Sequence, residues 1–288
     1  MNKISLILTS QDRPDLLDRF INSLINQKTK YKIELIFINQ GSYDPLAYIE
    51  IPNFINYQLI QSDRLPLSQA RNLGLKNMSG DIVGFPDDDC WYDPNLLEKV
   101  FNFFDKNKSV DVLCTNVFDP ERNMTYGNRP IGVQKRINFH NLFVLPISVG
   151  VFCRADALAL VGCNFDESLG AGAALGSGEE TELIARMLKN HLYVEYDGHI
   201  QVFHPVSDYQ FDDQQKYYNY GLGFGYVNGC LCRDGRLSVA PHFLEMLARS
   251  AVGLVLNAHR RVRRGVYWGR MCGMLKGFIS GMRRLHHD

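Results

Sequence analysis

The sequence predicts an α/β fold, a mostly parallel sheet with helices on both faces, and three observations carry that prediction. Short apolar runs alternate with helix-like stretches over the first hundred residues. The first of those runs are apolar at nearly every position, as strands covered on both sides are. Proline, glycine and short polar clusters mark the boundaries between them.

Each element follows in order. ISLILTS (4–10) reads as a buried strand. Asp12 is placed to cap the next helix, with Pro14 in its first turn and Leu16, Leu17, Phe20, Ile21, Leu24 and Ile25 as its apolar stripe. IELIFIN (33–39) is a second strand, ending at Gly41-Ser42, and NYQLI (56–60) a weaker third. LSQARNLGLKNM (67–78) is helical, DIVGF (81–85) is a fourth strand, and PNLLEKVFNFF (94–104) opens a helix at a proline. Residues 1–104 thus form one half of the fold and 105–215 a second. In the second half, SVGVFCRADALALVG (148–162) reads as strand then helix, AGAALGSG (171–178) as a small-residue loop, and EETELIARMLKN (179–190) as a helix opening with acids. LYVEY and IQVFHP are strand-like. YYNYGLGFGYVNG (217–229) carries too many glycines for a regular element, so residues 216–238 are expected to be a flexible loop. Residues 239–288 are expected to be a basic, amphipathic helical tail.

Composition narrows the class. With 45% hydrophobic and 22% charged residues, the 288-residue chain has an ordinary globular balance. Its formal charge is zero but uneven: residues 249–288 hold nine Lys/Arg and one acid, +8, which leaves −8 on the rest. That asymmetry points the tail at an anionic surface, and no nucleic-acid partner is expected. Seven scattered cysteines, with only Cys230 and Cys232 close together, fit a reduced, cytosolic compartment rather than a zinc site. The run 4–8 is too short for a signal peptide, and no stretch is read as reaching the roughly 18 apolar residues of a membrane span.

The chemistry concentrates in GFPDDDCWYDP (84–94). Asp87, Asp88 and Asp89 are adjacent carboxylates that repel one another, and beside a buried strand they also lose solvation. Ligands of parallel sheets bind at the carboxyl ends of the strands, where this triplet and Asn39-Gln40 both fall. Short carboxylates there make a hard oxygen site for Mn²⁺ or Mg²⁺, a cation that also bridges substrate phosphates.

Six segments in sequence carry a family resemblance: ILTSQDRPDLL, IFINQGS, LSQARNLGL, GDIVGFPDDDCWYDPNLLE, GVFCRADALALVGCNFDESLG and GSGEETELIAR. Over residues 4 to about 205 the chain resembles the inverting nucleotide-sugar glycosyltransferases of family 2, which have the Rossmann-like GT-A fold. The resemblance implies that Asp88 meets the donor ribose and Asp89 the metal, with Asp87 in support. It puts Thr9 and the end of the second strand at the nucleobase. Family members usually carry Asp-Asp where this chain has Asn39 and Gln40, and an amide still accepts from uracil N3–H and donates to its O4. Arg71 matches an arginine near the nucleotide, the other reading being a surface helix arginine. Glu180, with Glu179 beside it, matches the catalytic base; read alone, the two are acids at a helix N-terminus. His204 matches a third metal ligand of some GT-A enzymes, the other reading being a structural histidine.

The activity implied is metal-dependent transfer of a sugar from a nucleoside diphosphate, uridine by preference, to a saccharide hydroxyl, in one in-line displacement with inversion. The alternatives are a nucleotidyltransferase, whose Gly- and Lys-rich phosphate loop SQDRPDLL does not resemble, and a non-catalytic sugar-nucleotide or polysaccharide binding module. The tail completes the expectation. Met271, Met274, Leu275, Phe278 and Met282 share a helix face, with Arg270, Lys276, Arg283 and Arg284 off it. This suits an anionic membrane surface and a lipid-linked acceptor at its cytoplasmic side, as in bacterial surface-polysaccharide (O-antigen or capsule) assembly. Gly265, Gly269, Gly273, Gly277 and Gly281 recur every four residues, at a helix cost of about 1 kcal/mol each. A second helix packed along that ridge would offset the cost, from this chain or from a second copy in a homodimer.

Overall fold

The computed structural model describes residues 1–44, 47–206 and 213–283. They group into two units, Met1–Phe165 with Leu183–Val206, and Asp166–Glu182 with Ser207–Asp288. The chain passes between them after Phe165, after Glu182 and after Val206.

The first unit is built on ten strands, β1 (Lys3–Ser10), β2 (Lys32–Asn39), β3 (Ile55–Gln61), β4 (Ile82–Gly84), β5 (Trp91–Tyr92), β6 (Val112–Asp119), β7 (Met124–Thr125), β8 (Gln134–Arg136), β9 (Val151–Arg154) and β10 (Val194–Phe203). Their order is β3-β2-β1-β4-β9-β6-β10-β5, with β7 beside β6 and β8 beside β10. Strands β3, β2, β1 and β4 run parallel; β9 runs against both β4 and β6, and β6 and β10 are again parallel. One sheet therefore crosses residue 104, and the expected division there is not a structural boundary. LYVEY and IQVFHP are one strand, β10, whose pairing with β6 is irregular between Asp197 and Gln201.

Helix α1 (Pro14–Ile25) buries Leu17, Phe20, Ile21 and Leu24, and α3 (Leu96–Lys106) buries Leu96, Leu97, Val100, Phe101, Phe103 and Phe104. Both join Ile4, Leu6, Leu8, Leu35 and Phe37 in one core. Strand side chains alternate between faces, and on the opposite face Gly74 of α2 (Leu67–Leu75) rests on Ile7 and Ile38. Asp12 does not cap α1. It lies in the left-handed region (φ 55°), and its Oδ1 accepts from the Ser42 backbone N–H at 2.7 Å, while Arg13 takes the cap position. The short helix α4 (Ala155–Leu160) follows β9, and α5 (Glu179–Lys189) begins in the second unit and continues in the first.

The second unit holds α6 (Gln214–Arg233), α7 (Ala240–Leu256) and α8 (Arg261–Arg283). The flexible loop expected over 216–238 is overturned, because α6 fills most of it. Its glycines serve close packing. A Cβ on Gly221, Gly225 or Gly229 would meet the carbonyl oxygens of Arg270, Met274 or Phe278 at 2.5, 2.1 and 2.3 Å. In return Gly273, Gly277 and Gly281 face the carbonyls of Tyr218, Leu222 and Tyr226. These pairs ascend together in number, so α6 and α8 run parallel, backbone against backbone, with room for Cα–H···O contacts. The glycine ridge thus finds its partner helix within the chain, and the homodimer expected through it is displaced by α6.

The tail also departs from the amphipathic pattern. Met274 is buried and Phe278 stacks on Phe243 of α7, while Leu275 and Met282 are exposed. The buried residues of α8 are Gly269, Gly273, Gly277 and Gly281 with Val266 and Met274. Leu237–Leu256, 20 residues with mean hydropathy 1.3, is long and apolar enough to cross a membrane by length and composition, contrary to the sequence reading. Arg284 and Asp288 lie outside the described residues.

Candidate active site

The carboxyl ends of β1 to β4 lie side by side. Ser10 ends β1 in register with Asn39 of β2, which in turn pairs with Gln61 of β3. Past β4, Asp87 returns to form a parallel bridge with Thr9. The triplet is thereby held against the first strand, in the position where such sheets bind ligands.

The chain supplies its own counter-charges for the triplet. Arg71 donates from Nη2 to Asp87 Oδ1 at 2.8 Å, and its side chain is entirely buried. Its guanidinium lies 5.5 Å from the Phe165 ring and 5.8 Å from that of Phe85. The surface-arginine reading is thereby excluded. Arg13 forks across the other two acids, Nη1 to Asp88 Oδ1 at 2.6 Å and Nη2 to Asp89 Oδ2 at 3.0 Å. Ser10 donates its hydroxyl to Asp88 Oδ2 at 2.6 Å. Arg19 donates to the Asp89 carbonyl at 2.9 Å and stacks 3.9 Å over Trp91, fixing the turn.

His204 closes the cluster. Its Nδ1–H donates to the Pro205 carbonyl at 2.8 Å, which leaves Nε2 to face Asp89 Oδ1 at 3.1 Å. That Oδ1 is buried and accepts no well-directed hydrogen bond. Burial works against the Asp89 charge, but His204 and Arg13 outweigh it and hold the carboxyl down to about 2. Burial also works against a charged His204, yet Asp89 and then Asp87 raise the imidazole. Burial pushes Asp87 up against the pull of Arg71, and Asp88 up against its bonds from Ser10 and Arg13.

The donor set fits a divalent cation. A carboxylate oxygen and an imidazole nitrogen about 3 Å apart are spaced as two neighbouring ligands of one ion would be, and the Nδ1 bond leaves Nε2 as the nitrogen that would bind it. Among the described residues no three His, Cys, Asp or Glu side chains form a ready cage, so further ligands would come from phosphate oxygens and water.

Asn39 and Gln40 are buried and partly committed to the backbone. Asn39 donates to the Tyr43 carbonyl at 3.0 Å and accepts from the Gly41 N–H at 3.0 Å, while Gln40 Oε1 accepts from the Leu65 N–H. Asn39 retains one donor and one acceptor position, and Gln40, whose Oε1 also accepts from Gln11 Nε2 at 3.5 Å, retains its amide N–H donors.

In the second unit, Gly176 and Gly178 take left-handed φ values of 70° and 88°, and the Ser177 carbonyl lies where a Cβ of Gly223 would be. This loop leads directly into the first turn of α5. There Glu179 is buried and Glu180 half-buried, its Oε1 accepting from the Thr181 hydroxyl at 3.2 Å.

Sequence reasoning missed Ser10, Arg13 and Arg19. The first two lie within three residues of the end of β1, the usual place for ligand-site residues, and that position was the available signal.

Residues 5–162 match the sequence profile of glycosyl transferase family 2. The chain is 30% identical over 204 residues to the minor teichoic acid biosynthesis protein GgaB of Bacillus subtilis, covering 63% of this chain and 22% of that protein. It is 35% identical over 98 residues to hyaluronan synthase of Pasteurella multocida, covering 33% of this chain and 10% of the synthase. The chain thus spans less than a quarter of the length of these relatives. In fold it is similar to S. aureus TarS 1–349 solved with UDP, at a TM-score of 0.57 and 16% identity, over 97% of this chain and 90% of that one. It is likewise similar to the mannosyltransferase PcManGT of Pyrobaculum calidifontis with GDP-Man and Mn²⁺, at a TM-score of 0.59 and 11% identity, over 95% and 86%. These likenesses show the GT-A fold.

Proposed function

Because the chain belongs to glycosyl transferase family 2, we propose that it transfers a sugar from a nucleoside diphosphate, uridine by preference, to a hydroxyl of a saccharide acceptor. The observation that carries this reading is the pairing of Asp89 Oδ1 with His204 Nε2 at the carboxyl end of the parallel strands.

Asp88 meets the donor ribose, and Thr9, Asn39 and Gln40 line the base. Asp89 and His204 would hold Mn²⁺ or Mg²⁺, which when bound would supply positive charge beside the leaving diphosphate. Arg13, shared between two acids and with about half of its side chain exposed, is long enough to turn toward phosphate oxygens. Glu180 removes the proton of the acceptor hydroxyl, so that a single displacement inverts the anomeric centre. Glu179, more deeply buried, flanks it. The likeness to a teichoic acid biosynthesis protein supports a role in surface-polysaccharide assembly. A lipid-linked acceptor at the cytoplasmic face of the membrane is the form of acceptor we propose.

Calorimetry with UDP and Mn²⁺ on the full chain tests the site. Wild type should bind UDP more tightly with Mn²⁺ than without, and Asp89→Ala and His204→Ala should lose that gain. Unchanged affinity in Asp89→Ala would remove the metal assignment. A screen of nucleotide sugars for Mn²⁺-dependent hydrolysis then identifies the donor.

A further inference from the structure

We infer that the corner between α7 and α8 is a docking surface for an anionic lipid bilayer. It gives the membrane reading above a definite location, and its purpose rests on that reading. Helix α7 ends at Leu256 and α8 begins at Arg261. Around this turn Val255 and Leu256 are 76% and 69% exposed, with Val252 and Val262 open beside them. Arg260, Arg261, Arg263 and Arg264 are exposed between and after them.

The exposed apolar residues are not a core face awaiting its partner helix. The inward side of α7 is already used: Gly253 rests on the Tyr267 ring and Phe243 stacks on Phe278. No Asp or Glu occurs between Glu245 and Asp288, so a second copy docking corner to corner would bring like charges together. An anionic occupant is what the charge calls for.

The local geometry suits phosphate. A cleft of about 360 Å³ beside the corner is lined by Gln214, Leu254, Arg261, Arg264, Gly265 and Trp268. Arg264 Nη1 donates to the Ala258 carbonyl at 3.1 Å, bracing the turn. Guanidinium forks match phosphate oxygens, an exposed tryptophan suits the headgroup layer, and aliphatic side chains at the tip enter the acyl boundary. Charge and insertion together give the two signals that reversible anchoring needs. Spanning is disfavoured, because the apolar stretch 237–256 carries a Glu245–Arg249 ion pair at 2.7 Å near its middle.

The test is co-sedimentation of the full chain with phosphatidylcholine vesicles, with and without about 30% phosphatidylglycerol, in ~0.05 M and ~0.5 M salt. Binding is expected only with the anionic lipid and to weaken in high salt. R261E/R264E and V255S/L256S should each weaken it by about tenfold or more, whereas K276E/R283E, with the same charge change elsewhere on α8, should cost less than about threefold. Wild-type binding by the corner variants, equal loss in K276E/R283E, or equal binding to neutral vesicles would overturn the proposal. Displacement by ~10 mM inorganic phosphate would also overturn it, assigning the cleft to a soluble anion. Resistance to alkaline carbonate extraction would show that α7 spans. UDP binding with Mn²⁺ should be unchanged in the corner variants. A wild-type chain that binds vesicles but not UDP would overturn the transferase reading and leave the corner standing.

Discussion

Arg71, with none of its side chain exposed, is paired at 2.8 Å with Asp87, the first acid of the triplet. A buried guanidinium is tolerated only where a carboxylate answers it, so this pair ties α2 to the turn that carries the site. Arg71→Met should destabilise the chain by about 2–4 kcal/mol, toward the lower end for buried pairs because Asp87 keeps part of its side chain in solvent. The double variant with Asp87→Asn should recover part of that loss. Denaturant titration measures both, and a cost under about 0.5 kcal/mol for Arg71→Met would mean that the pair is not structural.

Glu180→Gln keeps the size of the side chain and its bond from Thr181 but cannot take a proton. Transfer should fall by about 10²–10⁴-fold with UDP affinity nearly unchanged. Near-normal transfer would move the base elsewhere, Glu179→Gln being the next variant to assay.

The contact of α6 with α8 makes a contrast between two glycines. A Cβ on Gly277 would meet the Leu222 carbonyl at 2.1 Å, backbone that can yield only if the helices separate. Gly277→Ala should therefore cost about 1–3 kcal/mol, despite alanine's better helix propensity. Gly265 faces only the end of the Gln214 side chain, at 2.8 Å, which can move. Gly265→Ala should be neutral or stabilising by up to about 1 kcal/mol. The melting temperature should thus fall for Gly277→Ala and hold or rise for Gly265→Ala, and equal shifts would contradict the close packing.

Glu34 ties β2 to β1 and to the entry of β4. Its carboxylate accepts from the Ser5 hydroxyl at 2.5 Å, the Ser79 N–H at 2.8 Å and Lys3 Nζ at 3.3 Å. Burial works against its charge, but the bonds from Ser5, Ser79 and Lys3 outweigh it and hold the carboxyl below the usual carboxylate range. A carboxyl depressed in the folded state contributes stability above its unfolded pKa, and that contribution is lost as pH falls through the folded value. The melting-temperature gap between wild type and Glu34→Gln should be widest near neutrality and narrow below about pH 4.5. A gap constant with pH would show that the charge is not what stabilises.

Much of this architecture could be read without coordinates. Buried runs such as Ile4–Leu8 and Ile33–Ile38 announced parallel strands because only doubly covered strands are apolar on both sides. The triplet stood out because like charges beside a buried strand require a counter-charge. Its counter-charge was harder to see. Arg13 comes from 75 positions away from Asp88 and no local pattern links residues that far apart, while His204, 115 positions from Asp89, was reached only through the family resemblance.

Glycine spacing shows where sequence and folded chain divide the work. The four-residue recurrence in α8 was enough to require a closely packed helix, since nothing else offsets the lost helix propensity. The identity of that helix was hidden, because Gly221, Gly225 and Gly229 lower the intrinsic helix preference of α6 and local propensity speaks for a loop. Once Arg270, Met274 and Phe278 bring their carbonyls to those glycines, packing recovers what propensity forfeits, and the segment is helical. Local chemistry, strand burial and the acid turn are properties of neighbouring residues and so are written along the chain. Helix partnership and the cations around Asp87, Asp88 and Asp89 depend on residues that meet only in the folded chain.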